Sequence, residues 1–162
     1  MNYLDYVETT ARAFPDRVAV REGADAWTYA DLLADARAAA NVLAAEGVGA
    51  GDAVVLSLPN SYQFVTATLG ALALRATVAP VNTRFGRREG GHLVGQVEPD
   101  AAVAGPETHP VVAAAMAERG PPGAPTYATG DGVDAPGWEE AVADADPTHR
   151  VPETMGERTA FV

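Results

Sequence analysis

The chain has 162 residues, of which 48% are hydrophobic, and a formal net charge of −11 from 22 acidic and 11 basic residues. This length suits one domain with a real core, and the apolar fraction is that of a globular protein and excludes a disordered one. The acidic balance argues against nucleic acid as a partner, because most of the surface would repel a phosphate backbone.

Other classes of protein are excluded by what the sequence lacks. There is no cysteine, which excludes disulfides and thiolate metal sites. The apolar runs are interrupted by Gly, Pro, Arg or polar residues, so no membrane span is predicted. The N-terminus, MNYLDYVETT, has no basic residue before an apolar core and is not a signal peptide. We therefore expect a cytoplasmic protein.

The basic residues are unusual in kind, because every one is arginine and the sequence contains no lysine. An acidic, lysine-free and alanine-rich chain is typical of organisms with a salty cytoplasm, where dense salt screens the repulsion between carboxylates. We predict a halophilic protein, from a haloarchaeal source. A mesophilic protein with an acidic surface is the alternative.

The first segments predict a helix and a hairpin. Apolar residues recur at helical spacing over residues 3–14, and Pro15 prevents the helix from continuing. Val18–Arg21 is a strand candidate, and Ala26–Thr28 can return beside it after a glycine-containing turn.

A long helix follows the hairpin. Thr28 and Asp31 resemble a capping box at its start. The helix runs to about Glu46, and Gly47 stands where a C-cap glycine belongs. The glycine-rich stretch 47–52 is not a dinucleotide loop, because its spacing differs from G-x-G-x-x-G and it leads from helix to strand.

A βαβ unit is predicted next. Ala53–Leu58 and Thr77–Val81 are apolar runs typical of strands buried on both faces, and Tyr62–Leu74 supplies the helical crossover between parallel strands. Asn60 is predicted to cap this helix, with Gln63 completing a capping box.

The remaining chain repeats this alternation. A helix over Arg87–Val97 is expected to be short or frayed, because Gly90 and Gly91 lie inside it. The fold class is therefore α/β, with βαβ units and a largely parallel sheet flanked by helices. The sheet core is expected over about 18–128, with a loop-rich connection over 129–162. The further predicted elements are strand Ala101–Ala104, helix Pro110–Arg119, strand Ala124–Ala128, helix Trp138–Ala143 and strand Thr159–Val162.

No catalytic constellation is evident in these residues. Neither Ser57 nor Ser61 lies in a G-x-S-x-G elbow. His92, His109 and His149 are far apart, lack metal-ligand spacing and are predicted to be surface residues. Without lysine, a P-loop lysine is impossible.

Six short motifs, each common alone, are specific when they occur together in this order and spacing. They are Phe14-Pro15-Asp16-Arg17-Val18-Ala19, Trp27-Thr28-Tyr29-Ala30-Asp31-Leu32, Gly51-Asp52, Leu58-Pro59-Asn60-Ser61, Gly70-Ala71-Leu72 and Ala79-Pro80-Val81-Asn82-Thr83-Arg84. Together they resemble the N-terminal part of an AMP-forming acyl-CoA synthetase, in the adenylate-forming superfamily that includes luciferases and peptide-synthetase adenylation domains. The resemblance follows chain order and weakens after about residue 105.

The resemblance implies a ligase that uses a small-molecule carboxylic acid, ATP, Mg²⁺ and coenzyme A. The acid would form an acyl-adenylate, and coenzyme A would then displace AMP. The chain would be the N-terminal subdomain of the family's large domain, with a homodimer as one option for the full-length form. The family's phosphate loop, metal-binding segment, ribose-binding Asp and catalytic Lys would all lie beyond this sequence. We therefore expect 1–162 alone to be an inactive fragment.

Two arginine positions stand out against the family pattern. Arg84 matches a basic residue that approaches the 3′-phosphate of coenzyme A in some members, and Arg87 and Arg88 lie near it. The alternative is a surface patch paired with carboxylates such as Glu89. Arg75 stands where the family usually has glycine, so it must accept a strained backbone or let the helix end differently.

Two other functions stay open at this point. One is a non-catalytic doubly wound module that binds a partner or nucleotide. The other is an amino-acid adenylation domain of the same superfamily.

Overall fold

The computed structural model describes residues 3–148. None of the helices in this range combines the length and apolar character needed to cross a bilayer. The helices are α1 (Tyr3–Ala13), α2 (Tyr29–Ala45), α3 (Tyr62–Ala73), α4 (Arg87–Val97), α5 (His109–Arg119) and α6 (Trp138–Asp144), and the strands are β1 (Val18–Glu22), β2 (Asp25–Thr28), β3 (Ala53–Ser57), β4 (Thr77–Pro80), β5 (Ala101–Ala104) and β6 (Thr126–Ala128).

The core of the fold is a four-stranded parallel sheet in the order β4-β3-β5-β6. β3 is central and all five of its residues are buried, which explains its unbroken run of apolar residues. The predicted α/β class and parallel sheet are confirmed. The hairpin β1-β2 forms a separate antiparallel sheet, so the predicted core of 18–128 contains two sheets.

Helices cover both faces of the parallel sheet. α2, α3 and α6 pack on one face, where Leu43, Leu72 and Trp138 join the core. α4 and α5 pack on the other face through residues such as Val94 and Met116. The parallel sheet is therefore buried on both faces, as βαβ crossovers require.

The hairpin is tied to the start of α3. The Glu22 carboxylate accepts a hydrogen bond from the Tyr62 N–H at 2.7 Å. The Trp27 and Tyr62 rings stack with centroids 4.0 Å apart. The Tyr62 hydroxyl donates to Asp35, and burial, followed by this bond, raises the pKa of Tyr62. These contacts fix the hairpin against α2 and α3.

The cap at the start of α2 agrees with the prediction. The Asp31 N–H donates to the Thr28 hydroxyl oxygen at 3.2 Å, and the Thr28 N–H donates to the Asp31 carboxylate at 2.8 Å. Hydrogen bonds from the Thr28 hydroxyl and backbone N–H lower the pKa of Asp31. The capping box is confirmed.

Two predictions about α3 and α4 are wrong. The cap of α3 is Ser61, whose side chain accepts a hydrogen bond from the Phe64 N–H at 3.2 Å, and not Asn60. α4 is neither short nor frayed and spans 11 residues. A Cβ added at Gly90 would lie 3.1 Å from Val111, so this glycine lets α4 and α5 approach closely.

The ends of α2 and α3 share one hydrogen-bond pattern, the Schellman motif. At α2, the Val48 N–H bonds the Leu43 carbonyl, and Gly47 has φ 89°. At α3, the Ala76 N–H bonds the Ala71 carbonyl, and Arg75 has φ 63°. Arg75 therefore accepts the left-handed conformation that glycine adopts without strain.

The later elements agree with their predicted positions to within two residues at each end. The predicted strand Thr159–Val162 and the position of His149 lie outside the described residues. The predicted helix near Trp138 is confirmed as α6, and Trp138 is 1% exposed.

Candidate functional site at the carboxyl edge of the sheet

The three arginines predicted as a site lie together where β4 ends. Arg84 is in the connection to α4, and Arg87 and Arg88 form the first two residues of that helix. All three are exposed, and so in part is Phe85, which is 38% exposed. We refer to Arg84, Phe85, Arg87 and Arg88 as the arginine corner.

The backbone around the arginine corner also suits an anion. Asn82 orders the turn, because its side-chain oxygen accepts a hydrogen bond from the Arg84 N–H at 2.9 Å. Gly86 caps α4 with no side-chain hydrogen bond. The first N–H groups of α4 are therefore not capped by a side chain, and they lie at the positive end of the helix dipole.

The competing interpretation was a patch paired with nearby carboxylates. Within residues 3–148 the ion pairs seen join Glu8 to Arg12 and Arg37, and none includes the arginine corner. The corner is therefore a concentrated positive surface on an acidic chain.

Several buried polar residues also lie at the carboxyl edge of the sheet. Ser57 ends β3, Thr108 and His109 follow β5, and Thr129 follows β6. In doubly wound sheets, ligands bind at this edge where adjacent strands lead off in opposite directions. Here that point lies between β3 and β5.

The crevice between β3 and β5 is closed. The Ser57 carbonyl accepts hydrogen bonds from the Thr108 hydroxyl at 2.6 Å and the Gly105 N–H at 2.9 Å. These two hydrogen bonds tie the segment that follows β5 to the end of β3. The arginine corner, beside this point, is the more open surface.

His109 was predicted to be a surface residue, and this is wrong. It is 9% exposed, and its Nε2 atom has no hydrogen-bond partner among the described residues. Its burial comes from the docking of α5, which no local pattern indicates. His92 is exposed, as predicted.

A small cavity lies beneath Phe85. It is lined by Ser57, Asn82, Gly90 and Thr108 together with apolar side chains, and its volume is about 10 Å³. This volume suits one water molecule and no larger ligand. The arginine corner therefore has no deep pocket beneath it.

A larger concavity lies at the opposite edge of the sheet, between α2, β6 and α6. Among residues 3–148 it forms a groove of about 600 Å³. Tyr127 forms part of its lining, and its hydroxyl donates to Glu46. Burial, followed by this bond, raises the pKa of Tyr127 to about 12.

Metal ligands are not grouped in the described part of the chain. Within residues 3–148, no set of three or more His, Asp or Glu side chains is placed to hold a metal ion.

The sequence was compared with known proteins. Residues 7–162 match a family model described as AMP-binding enzyme. The chain belongs to this family. The chain is 32% identical over 135 residues to the long-chain-fatty-acid–CoA ligase FadD13 of Mycobacterium tuberculosis (strain ATCC 25618 / H37Rv). That match covers 83% of this chain and 26% of FadD13.

Solved structures agree with this membership. The N-terminal domain of FACL13 from Mycobacterium tuberculosis superposes with a TM-score of 0.86 at 28% identity, covering 100% of this chain and 41% of that one. A benzoate CoA ligase from Burkholderia xenovorans LB400 superposes with a TM-score of 0.87 at 21% identity, covering 99% and 32%, and shows the fold alone. The chain spans about a quarter of the length of FadD13.

Proposed function

We propose that the chain is the N-terminal portion of an ATP-dependent acid–thiol ligase. This ligase activates a carboxylic acid as an acyl-adenylate and transfers the acyl group to coenzyme A. The observation that carries the proposal is the family match over residues 7–162. The name of FadD13, a long-chain-fatty-acid–CoA ligase, favours a fatty acid as the substrate class.

In this proposal, residues 3–148 are scaffold for a catalytic centre built elsewhere. ATP and Mg²⁺ would be bound by parts of the ligase beyond this chain, where Mg²⁺ would neutralise charge on the transferring phosphate. The chain alone would be inactive. A haloarchaeal source belongs to the same proposal and rests on the acidic, lysine-free composition, while a cytoplasmic location stays a prediction.

The arginine corner is the proposed contact for coenzyme A. Its three guanidinium groups and the start of α4 offer donors to the 3′-phosphate, and arginine binds phosphate in bidentate geometry. Arg84 is the principal residue, because Asn82 fixes its backbone through the turn. Because Arg84 is exposed, a ligand as large and polar as coenzyme A can contact it.

Replacing Arg84 with Ala tests this contact in a ligase that carries the chain as its first part. We expect the apparent KM for coenzyme A to rise roughly tenfold, as expected when a charge-assisted hydrogen bond is lost. Carboxylate-dependent pyrophosphate exchange should not change, because adenylation precedes coenzyme A binding. Kinetics with the two substrates separate these effects.

Dephospho-coenzyme A, which lacks the 3′-phosphate, is the matched control. The native ligase should prefer coenzyme A over this analogue, and the Arg84→Ala variant should lose the preference. An unchanged KM and an unchanged preference would end the proposed contact without affecting the proposed reaction.

Neither alternative function is favoured by an observation on this structure. Membership of the AMP-binding family argues against an unrelated binding module. The amino-acid adenylation domain stays a prediction within that family.

A further inference from the structure

The connection that carries Arg84 leaves the parallel sheet at Asn82. The preceding residue still belongs to the sheet, because the Val81 N–H donates a hydrogen bond to the Leu56 carbonyl of β3 at 2.8 Å. Val81 is buried, whereas Asn82 and the residues that follow it up to Glu89 are exposed. Asn82 is therefore the first residue of the connection that lies outside the buried core.

Asn82 makes two hydrogen bonds within this connection. Its side-chain oxygen accepts the Arg84 N–H at 2.9 Å, and its carbonyl accepts the Phe85 N–H at 3.0 Å. The first bond closes an Asx-turn, and the second closes a β-turn over the same residues. Both bonds start from Asn82, so this one residue determines the path of the backbone from the sheet to Arg84.

The other end of the connection is also held. Gly86 caps α4, and its carbonyl accepts the Gly90 N–H at 2.9 Å. Gly90 lies close to α5, since a Cβ added there would be 3.1 Å from Val111. The backbone of Arg84 thus lies between the sheet on one side and a packed helix on the other, and the bond to Asn82 is its link to the sheet.

The type of side chain at Asn82 suits a turn that binds phosphate. An Asx-turn needs a short side chain with an acceptor oxygen, which asparagine and aspartate both have. Aspartate would add a carboxylate near the arginine corner, and this carboxylate would compete with a phosphate for the guanidinium groups. Asparagine supplies the same acceptor without a charge.

We propose that Asn82 is a positioning residue for the contact between Arg84 and the 3′-phosphate of coenzyme A. It fixes the backbone from which the Arg84 side chain extends, without touching coenzyme A itself. A guanidinium group that starts from a fixed backbone loses less conformational freedom when it binds. The inference rests on the proposed function, but the turn on which it depends can be tested in the chain alone.

Hydrogen exchange of the Arg84 amide in the chain 1–162 tests the turn. Asn82→Ala should speed exchange of this amide roughly tenfold, as expected when one hydrogen bond is lost. Asn82→Asp keeps an acceptor oxygen and should exchange like the native chain. Thr83→Ala is the matched control, because Thr83 is exposed in the same turn and takes no part in either bond. Equal exchange in the native and Asn82→Ala chains would overturn the proposal.

Kinetics of a ligase that carries the chain as its first part test the positioning role. Asn82→Ala should raise the apparent KM for coenzyme A roughly threefold, because ordering one long side chain costs less than losing its charge-assisted hydrogen bonds. Carboxylate-dependent pyrophosphate exchange and the KM for dephospho-coenzyme A should not change. A rise in both KM values together with slower exchange would indicate general loss of structure and would overturn the role.

The double variant that combines Asn82→Ala with Arg84→Ala separates this inference from the proposed function. Its KM for coenzyme A should equal that of Arg84→Ala alone, because a positioning residue has no effect once the residue it positions is absent. An effect of Asn82→Ala that persists without Arg84 would overturn the positioning role and leave the Arg84 contact standing. An Arg84→Ala variant with an unchanged KM would overturn the contact and the positioning role together.

Discussion

At the scale of single residues, Arg75 is the clearest conflict between sequence and backbone. It holds the left-handed position of a Schellman motif that Gly47 holds in the equivalent motif of α2. A side chain at such a position costs about 1 to 2 kcal/mol because Cβ approaches the following carbonyl oxygen. The fold therefore carries local strain where α3 turns into β4.

Replacing Arg75 with Gly should relieve this strain. We expect the free energy of unfolding to rise by about 1 kcal/mol relative to Arg75→Ala, which removes the long side chain but keeps Cβ. Urea denaturation of the two variants measures the difference. Equal stability of the two variants would show that the backbone is not strained at this position.

Local residue patterns predict local hydrogen bonds well and buried positions poorly. The Thr28–Asp31 box was predictable because both partners lie within one turn. The α3 cap was placed one residue early, because Asn60 and Ser61 are both good capping residues. The burial of His109 depends on how α5 docks, and a single sequence holds no local sign of it.

At the scale of elements, two helix glycines differ in the space around them: one is at a tight helix–helix contact and the other is not. A Cβ at Gly70 would lie 2.8 Å from the Ala40 backbone nitrogen, so α2 and α3 can pack at this distance only without a side chain there. A Cβ at Gly91 would meet no atom within 4 Å. The same substitution at these two positions should therefore have opposite effects.

Gly70→Ala should lower the free energy of unfolding by about 1 to 3 kcal/mol through overpacking. Gly91→Ala should raise it by up to about 1 kcal/mol, because alanine favours the helix. Thermal or urea denaturation distinguishes the two. A stabilised Gly70→Ala variant would contradict the close α2–α3 contact.

The positions of helices and strands were predictable because apolar residues recur at helical spacing in some segments and form short continuous runs in others. α4 shows that tertiary packing can override a low helix propensity. Gly90 and Gly91 weaken an isolated helix, yet packing against α5 holds all 11 residues in helical conformation.

At the scale of the whole molecule, the strand order is the feature that the sequence did not provide. Short parallel crossovers predict neighbouring strands, but they do not determine that β5 lies on the far side of β3 from β4. That order places the arginine corner, which follows β4, and the groove lined by Tyr127 of β6 at opposite edges of the sheet. The arginines of the candidate site were adjacent in sequence and so could be predicted together.

The charge of the molecule leads to a prediction about salt. With a net charge of −11, repulsion between carboxylates opposes the compact state in dilute buffer. If the protein is halophilic, the free energy of unfolding should rise as KCl increases towards molar concentration, where the Debye length falls to about 3 Å. Denaturant titrations at several KCl concentrations measure this, and a stability maximum in dilute buffer would contradict it.

The central proposal is that this chain is scaffold for a ligase whose catalytic groups lie elsewhere in a longer protein. Carboxylate-dependent exchange between ATP and pyrophosphate, measured with the purified chain 1–162, tests it most directly. The account predicts no exchange above a protein-free control, since cationic groups and Mg²⁺ must stabilise the charge on the transferring phosphate. Measurable exchange that depends on added carboxylate would show that the chain catalyses adenylation by itself and would contradict the account.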